Sequence, residues 1–149
     1  MEHILGWLTL FLILSIIVIR TKQTDILKFL LVGFSLRALL VILDQYFISL
    51  PGGNLDAKSY ESYAFYISNN YGLSILFNMF TNEDVALVPR IISVFYSLTS
   101  RSEMMAQGIS VALGTSSIYL VYRLTLIIWD KNAAIKASWI MALHPSMIL

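Results

Sequence analysis

The sequence predicts an all-α, polytopic membrane fold in which transmembrane helices are linked by extracytoplasmic amphipathic helices. Three observations lead there. The chain of 149 residues is 58% hydrophobic, with a mean hydropathy of +0.75. Only 13% of its residues are charged, against about 25% in soluble globular domains. The apolar residues also gather into runs bounded by charges, several of them near the roughly 17–25 residues that cross a bilayer's hydrocarbon.

The first span, 4–19, carries no charge and stops at Arg20 and Lys22. Its start, Met1-Glu2-His3, lacks the basic region of a cleaved signal peptide, and the apolar run outlasts the usual signal core, so the span is expected to be retained. The second span, 26–48, has Lys28 near its start, where a long side chain can snorkel, and Arg37 and Asp44 embedded within it. The third, 104–129, ends with Arg123 and with Trp129, a residue suited to the interface. The fourth, 133–149, is still apolar at Leu149, so the chain is expected to be the N-terminal portion of a longer protein. All of 1–149 reads as one membrane region, with 50–103 as its outer segment.

Charge sets the orientation. Arg20, Lys22 and Lys28 flank the first turn, and Arg123, Lys131 and Lys136 flank the last, so both turns are expected in the cytoplasm. The long segment between spans two and three then lies outside, and so does the N-terminus. That segment holds three bases, Lys58, Arg90 and Arg101, against five acids, Asp56, Glu61, Glu83, Asp84 and Glu103.

Within the outer segment, Tyr60, Tyr63, Ala64, Ile67 and Tyr71 form an apolar stripe at helical spacing, and Gly72 follows where a C-cap glycine belongs. Leu73, Leu76, Phe77 and Phe80 make a second stripe, opposite Ser74, Asn78 and Thr81, expected of a helix lying on the membrane. After Pro89, the run Ile91, Ile92, Val94, Phe95 and Tyr96 is apolar all round and predicts a re-entrant or deeply seated helix.

Several classes are excluded or unsupported. The ten Lys and Arg residues are dispersed, so nucleic acid is not an expected partner. With no cysteine there is neither a disulfide framework nor a thiolate metal site. His3 and His144 are isolated from other ligand-type residues, and His144-Pro145 is expected to mark a kink in the fourth span. Trp7, Trp129, Trp139 and the eight tyrosines fit interface anchoring.

The turn Pro51-Gly52-Gly53-Asn54 brings Asp56 to the bilayer surface, with Tyr60 and Glu61 one helical turn beyond. A carboxylate there could act as general base on an acceptor hydroxyl, or help to hold a divalent cation. Asp is equally a favoured N-cap for a helix starting near Ala57, the commoner reading of the pattern alone, and one carboxylate can serve both ends. Arg37 and Asp44, seven residues apart, share one helix face and are expected either to join an intramembrane polar network that contacts substrate or to form a packing ion pair. Glu61 is offset from the face of Asp56 and reads more naturally as solvated surface. Glu83-Asp84 reads as a second acidic contribution to the outer cavity or, more commonly for such a pair, as an acidic helix start.

The stretch from Arg37 through Leu50-Pro-Gly-Gly-Asn-Leu-Asp-Ala-Lys-Ser-Tyr-Glu-Ser-Tyr-Ala64 resembles the first outer-loop region of bacterial GT-C-fold glycosyltransferases of the protein-mannosyltransferase-like kind, family 39. Gly114-Thr115, Tyr119-Leu-Val-Tyr-Arg123 and Ala142-Leu-His-Pro-Ser-Met-Ile-Leu149 are similar to later parts of that family. The resemblance implies that Asp56 is the catalytic aspartate, acting as general base. It implies a polyprenyl-phosphate-linked sugar as donor, with Tyr60, Glu61, Arg37 and Asp44 as the candidate substrate-binding residues. Family members are several hundred residues long, so the later spans that would complete the donor site are not within these 149 residues. The rival expectation is a non-catalytic membrane subunit or scaffold of a polysaccharide-assembly or transport complex, whose outer helices bind a membrane-protein partner.

Overall fold

Six α-helices and one 3-10 turn make up the described part of the chain, with no strand among the described residues. The structure is a computed structural model and describes residues 2–21, 24–47, 56–76 and 87–144, with the backbone alone at Asp56 and Ala57.

Helix α1 (Glu2–Thr21) and helix α2 (Leu27–Tyr46) cover the first two expected spans. The turn between them is closed by the Thr24 amide and hydroxyl, both donating to the Thr21 carbonyl. Helix α3 (Asp56–Tyr71) comes next, then the 3-10 turn η1 (Gly72–Leu76) and helix α4 (Leu87–Leu98). Helix α5 (Glu103–Ile128) and helix α6 (Lys131–Leu143) complete the order. Both of the last two helices are capped from the sequence. Ser102 Oγ accepts from the Met105 amide at 3.2 Å, and Asp130 Oδ1 from the Ala133 amide at 2.7 Å.

By length and composition, α1 and α5 are the two described helices able to cross a membrane. They account for the first and third expected spans. Helix α2 has the same 20 residues as α1 but is interrupted by Arg37 and Asp44. Helix α6 is described over 13 residues, about 20 Å. It stops at Leu143, with His144 in extended backbone. The break falls where the kink is expected, since the ring of Pro145 disfavours α backbone at the residue before it, and residues 145–149 of the fourth expected span lie outside the described residues.

Small residues set the packing. A Cβ on Gly6 would lie 2.4 Å from Met104 Cγ, and one on Gly108 would lie 3.1 Å from Thr9 Cγ2, so α1 and α5 run parallel in close contact. On the other side of α5, Gly33 faces Ile118, Arg37 faces Gly114 and Asp44 faces Gln107. The numbers fall on α5 as they rise on α2, in steps of four and seven on both, so this pair is antiparallel in one constant register. Leu10, Ile17, Phe29, Phe34, Val111 and Ile118 fill the resulting core. Helix α6 returns along α5 and closes on α2 through an edge-on contact of Trp139 with Phe29, centroids 5.1 Å apart.

This arrangement gives the bundle two chemically different ends. The starts of α1 and α5 meet the end of α2 at one, where Tyr46 Oη accepts from Trp7 Nε1 at 3.3 Å and lies 3.2 Å from His3 Nδ1. At the other, Lys131 of α6 forms a salt bridge with Asp25 in the α1–α2 turn. The hydrogen bond from Lys131 holds the Asp25 carboxyl below its usual range, and the same contact raises the Lys131 ammonium.

The segment between α2 and α5 departs from expectation in two places. Helix α3 ends as predicted, with Gly72 in left-handed backbone at φ +51°. After it the chain forms a 3-10 turn with Ile75 buried and Leu73 and Leu76 exposed; Phe77 to Phe80 and Glu83-Asp84 lie outside the described residues, as does the Pro51 to Asn54 turn. Helix α4 is one-sided rather than apolar all round, burying Pro89, Arg90, Ile92, Ser93 and Tyr96 while Phe95 and Leu98 are exposed. Its 12 residues span about 18 Å, less than the roughly 30 Å of hydrocarbon.

Gly6→Val should force Met104 away from α1 and lower stability by about 1–3 kcal/mol. Thermal unfolding of the detergent-solubilised chain reads this, and Met104→Ala in the same chain should recover part of the loss. An unchanged midpoint for Gly6→Val would show that α1 does not pack on α5 at this point.

Candidate functional site

Helix α3 is held at the α1/α5 end by a single buried carboxylate. Glu61 is only 5% exposed. Arg101, in the turn before α5, binds it in two-pronged fashion, Nε to Oε1 at 2.8 Å and Nη2 to Oε2 at 2.7 Å. The Tyr96 hydroxyl on α4 lies within donating distance of Glu61 Oε1, at 2.9 Å, and of the Ser102 carbonyl, at 3.0 Å. Ser102 Oγ in turn donates to the Glu2 carbonyl at 2.9 Å, and the Glu103 amide reaches Glu2 Oε1 at 3.3 Å. One connected network therefore ties α3, α4, the start of α5 and the start of α1.

The electrostatics stem from the Glu61 charge and, for Tyr96, from burial. Burial and the Glu61 charge push the Tyr96 phenol well above its ordinary range, and the hydrogen bond to Glu61 raises the Arg101 guanidinium. Both stay protonated, and so remain donors to Glu61, throughout the range in which the protein is handled. Arg101 also lies over the Phe65 ring, 4.7 Å from its centroid. Its side chain is 45% exposed, so water screens the pair from one side. Beneath the network, Ala64, Ile92, Tyr96, Met105, Ala106 and Ile109 form a second apolar core.

Glu61 is thus not solvated surface. The inward face of α3 is Glu61, Ala64 and Ile67, whereas Tyr60, Tyr63 and Tyr71, expected on the apolar stripe, are exposed. The rotation comes from pairing: Glu61 finds two donors inside the fold, while a tyrosine ring tolerates the outside because its hydroxyl keeps water.

Asp56 is the first residue of α3. Five residues separate it from Glu61, about 7.5 Å of helical rise. The Asp56 side chain, and with it the N-cap expectation, lies outside the described residues. Tyr60, one turn along, is exposed.

Arg37 and Asp44 share the α5-facing side of α2, as their spacing predicts, but they engage different partners. Arg37 is 2% exposed and donates to the Gly33 carbonyl at 3.0 Å and to the Met141 carbonyl of α6 at 3.4 Å. Its chain fills the notch left by Gly114, where a Cβ would lie 2.8 Å from Nε. Asp44 accepts from Gln107 Nε2 at 2.9 Å. Asp44 is therefore near the α3 end and Arg37 two turns away from it, between α2, α5 and α6.

The comparison with known proteins decides no family. The chain matches no protein-family model, no curated protein and no solved structure. Among the described residues no group of three or more His, Cys, Asp or Glu side chains could hold a metal ion. The residues that organise the site, Tyr96, Arg101, Ser102 and Gln107, were not singled out by sequence reasoning. Gln107 carried a signal, being an amide inside an apolar run, and Ser102 carried another as a cap before Glu103.

Tyr96→Phe removes a donor to a buried carboxylate and should cost about 1.5–3 kcal/mol, the range for hydrogen bonds to charged groups. Hydrogen exchange should show the loss as faster exchange in α3 and α4, with α2 unaffected. Equal protection of α3 in both proteins would mean that the Tyr96 hydroxyl takes no part in holding it.

Proposed function

We propose that the chain is the N-terminal membrane part of a GT-C-type glycosyltransferase that moves a sugar from a polyprenyl-phosphate carrier to an acceptor at the extracytoplasmic face. The observation that carries this reading is that α3, which begins at Asp56, is anchored by Glu61 to the end of the bundle where α1 and α5 begin.

The membrane setting is supported by the outside of the helices. On α1, Ile4, Leu8, Phe11, Leu12, Ile16 and Ile19 are exposed, with Phe11 at 72% and Ile19 at 75%. On α5, Leu120, Leu124, Ile127 and Ile128 are exposed. Soluble monomers rarely leave so continuous an apolar surface in water. Lipid covers it without cost. The positive-inside rule then turns the Asp25–Lys131 end to the cytoplasm and the α3 end outward.

In this reading Asp56 takes the proton from the acceptor hydroxyl as its oxygen attacks the anomeric carbon. The bond from that carbon to the carrier phosphate breaks on the opposite face, releasing the polyprenyl phosphate and inverting the sugar. Asp44, at the same end, and the exposed Tyr60 line the approach. Arg37, enclosed by α2, α5 and α6, serves packing, and Glu61 orients α3. A divalent cation would be held by Asp56 together with substrate phosphate. The assignment of activity rests on the resemblance of the 37–64 stretch.

The non-catalytic reading has one observation in its favour. Tyr63 and Tyr66 stack in parallel, 6.3 Å apart at 8°, on the exposed side of α3, a surface that a partner protein could cover.

Transfer from a radiolabelled polyprenyl-phosphate sugar should be measured in membranes carrying the chain, any longer natural form and the Asp56→Asn variant of each. Loss of about 100-fold or more in Asp56→Asn is the expected result for a general base. Wild-type rates in Asp56→Asn, or no transfer by any form, would remove the catalytic reading and leave the partner-binding one.

A further inference from the structure

Opposite the α3 end, the turns of the bundle gather basic side chains. Arg20 closes α1, Lys28 opens α2, Arg123 lies in the last turns of α5, and Lys131 and Lys136 open α6. Lys131 is exposed, as are Arg20 and Arg123. Each of the five lies within eight residues of Asp25 or Lys131, whose salt bridge joins the two turns. The acids on these stretches are Asp25 and Asp130. Asp25 is engaged by Lys131, and Asp130 caps α6 through the Ala133 amide. Among the described residues, five bases against two acids leave this end with three positive charges in excess.

The surroundings define what such a surface can meet. Trp129, in the turn, is 69% exposed, and Ile127 and Ile128 beside it are exposed too. Lys28 leans over Phe29, its Nζ 5.3 Å from the ring centroid, and Phe29 meets Trp139 edge-on. Basic heads therefore share the rim of this end with the exposed Trp129, Ile127 and Ile128, while Phe29 itself lies in the core. A soluble polyanion would engage the charges but not the apolar groups beside them. A bilayer surface engages both, with the indole at headgroup depth and the ammonium and guanidinium groups among the phosphates.

We propose that this rim is a binding surface for anionic phospholipid headgroups. The proposal rests on the membrane part of the reading above and is independent of the catalytic part. The Asp25–Lys131 bridge draws both turns into one collar, so the charges act on the same few lipids. Lys28, Arg123 and Lys136 supply positive charge beyond the Asp25–Lys131 pair.

The three tryptophans allow a local test, because Trp7 lies at the other end. With Trp7→Phe, fluorescence reports Trp129 and Trp139 alone. Quenching by brominated phosphatidylglycerol and by brominated phosphatidylcholine, each in phosphatidylcholine bilayers, gives the relative affinity of the rim for the two lipids. The expected ratio is roughly fivefold or more in favour of the anionic lipid, as one basic residue near a charged surface contributes about that factor. In Lys28→Gln/Arg123→Gln/Lys136→Gln it should fall to about one, and about 1 M salt, with a screening length near 3 Å, should lower it in the parent. If the triple variant does not insert, the salt dependence of the parent decides. A ratio near one in the parent, or a preference that survives both substitution and salt, overturns the proposal. Absence of quenching by either lipid overturns the membrane reading with it, whereas failure of sugar transfer would leave this ratio unchanged.

Discussion

The position of α3 and α4 depends on how one carboxylate is neutralised. Glu61 would be costly inside the fold without donors, since an isolated buried charge is worse than almost any packing defect. Arg101 and Tyr96 supply three hydrogen-bond contacts between them. Those donors come from the end of α4 and the turn before α5, so satisfying Glu61 brings α3, α4 and α5 together. Ser102 extends the same constraint to α1 through the Glu2 carbonyl. The apolar contacts of Ala64, Ile92 and Ile109 lie under this network and gain from the alignment it imposes.

The remainder of the bundle is set by where side chains are missing. Gly6, Gly33, Gly108 and Gly114 sit at the helix crossings, and each is filled by a neighbour that a Cβ would displace. Two of the four meet Arg37, whose guanidinium is served by carbonyls of its own helix and of α6. A charged residue within an apolar helix is thereby used to join three helices. Asp44 and Gln107 repeat the device nearer the α3 end with a carboxylate and an amide.

Much of this was legible in the sequence, and the reason for each success is local. Apolar runs bounded or broken by charges mark the stretches where α1, α2, α5 and the start of α6 lie. Gly72 announced the end of α3 because a left-handed residue is needed there. The seven-residue spacing of Arg37 and Asp44 gave their common face. Glu61 was misjudged because its partners lie 35 and 40 residues on, and no local pattern shows which polar residue will find donors inside. Helix α4 was read as uniformly apolar because Arg90 and Ser93, which face inward, look like breaks in an apolar pattern rather than part of its buried side. For Asp56 the sequence supplies residue type and neighbours, and the structure adds the anchored backbone of α3 behind it.

The proposed orientation puts the two ends of the bundle on opposite sides of a membrane, with the α3 end outside. Because the chain has no cysteine, single cysteines report this directly. Ser59→Cys lies on α3 and Asn132→Cys at the start of α6, and both positions are exposed. In intact cells a membrane-impermeant maleimide should label Ser59→Cys and reach Asn132→Cys only after the membrane is opened. Labelling of both in intact cells, or recovery of the chain in the soluble fraction, would contradict that orientation.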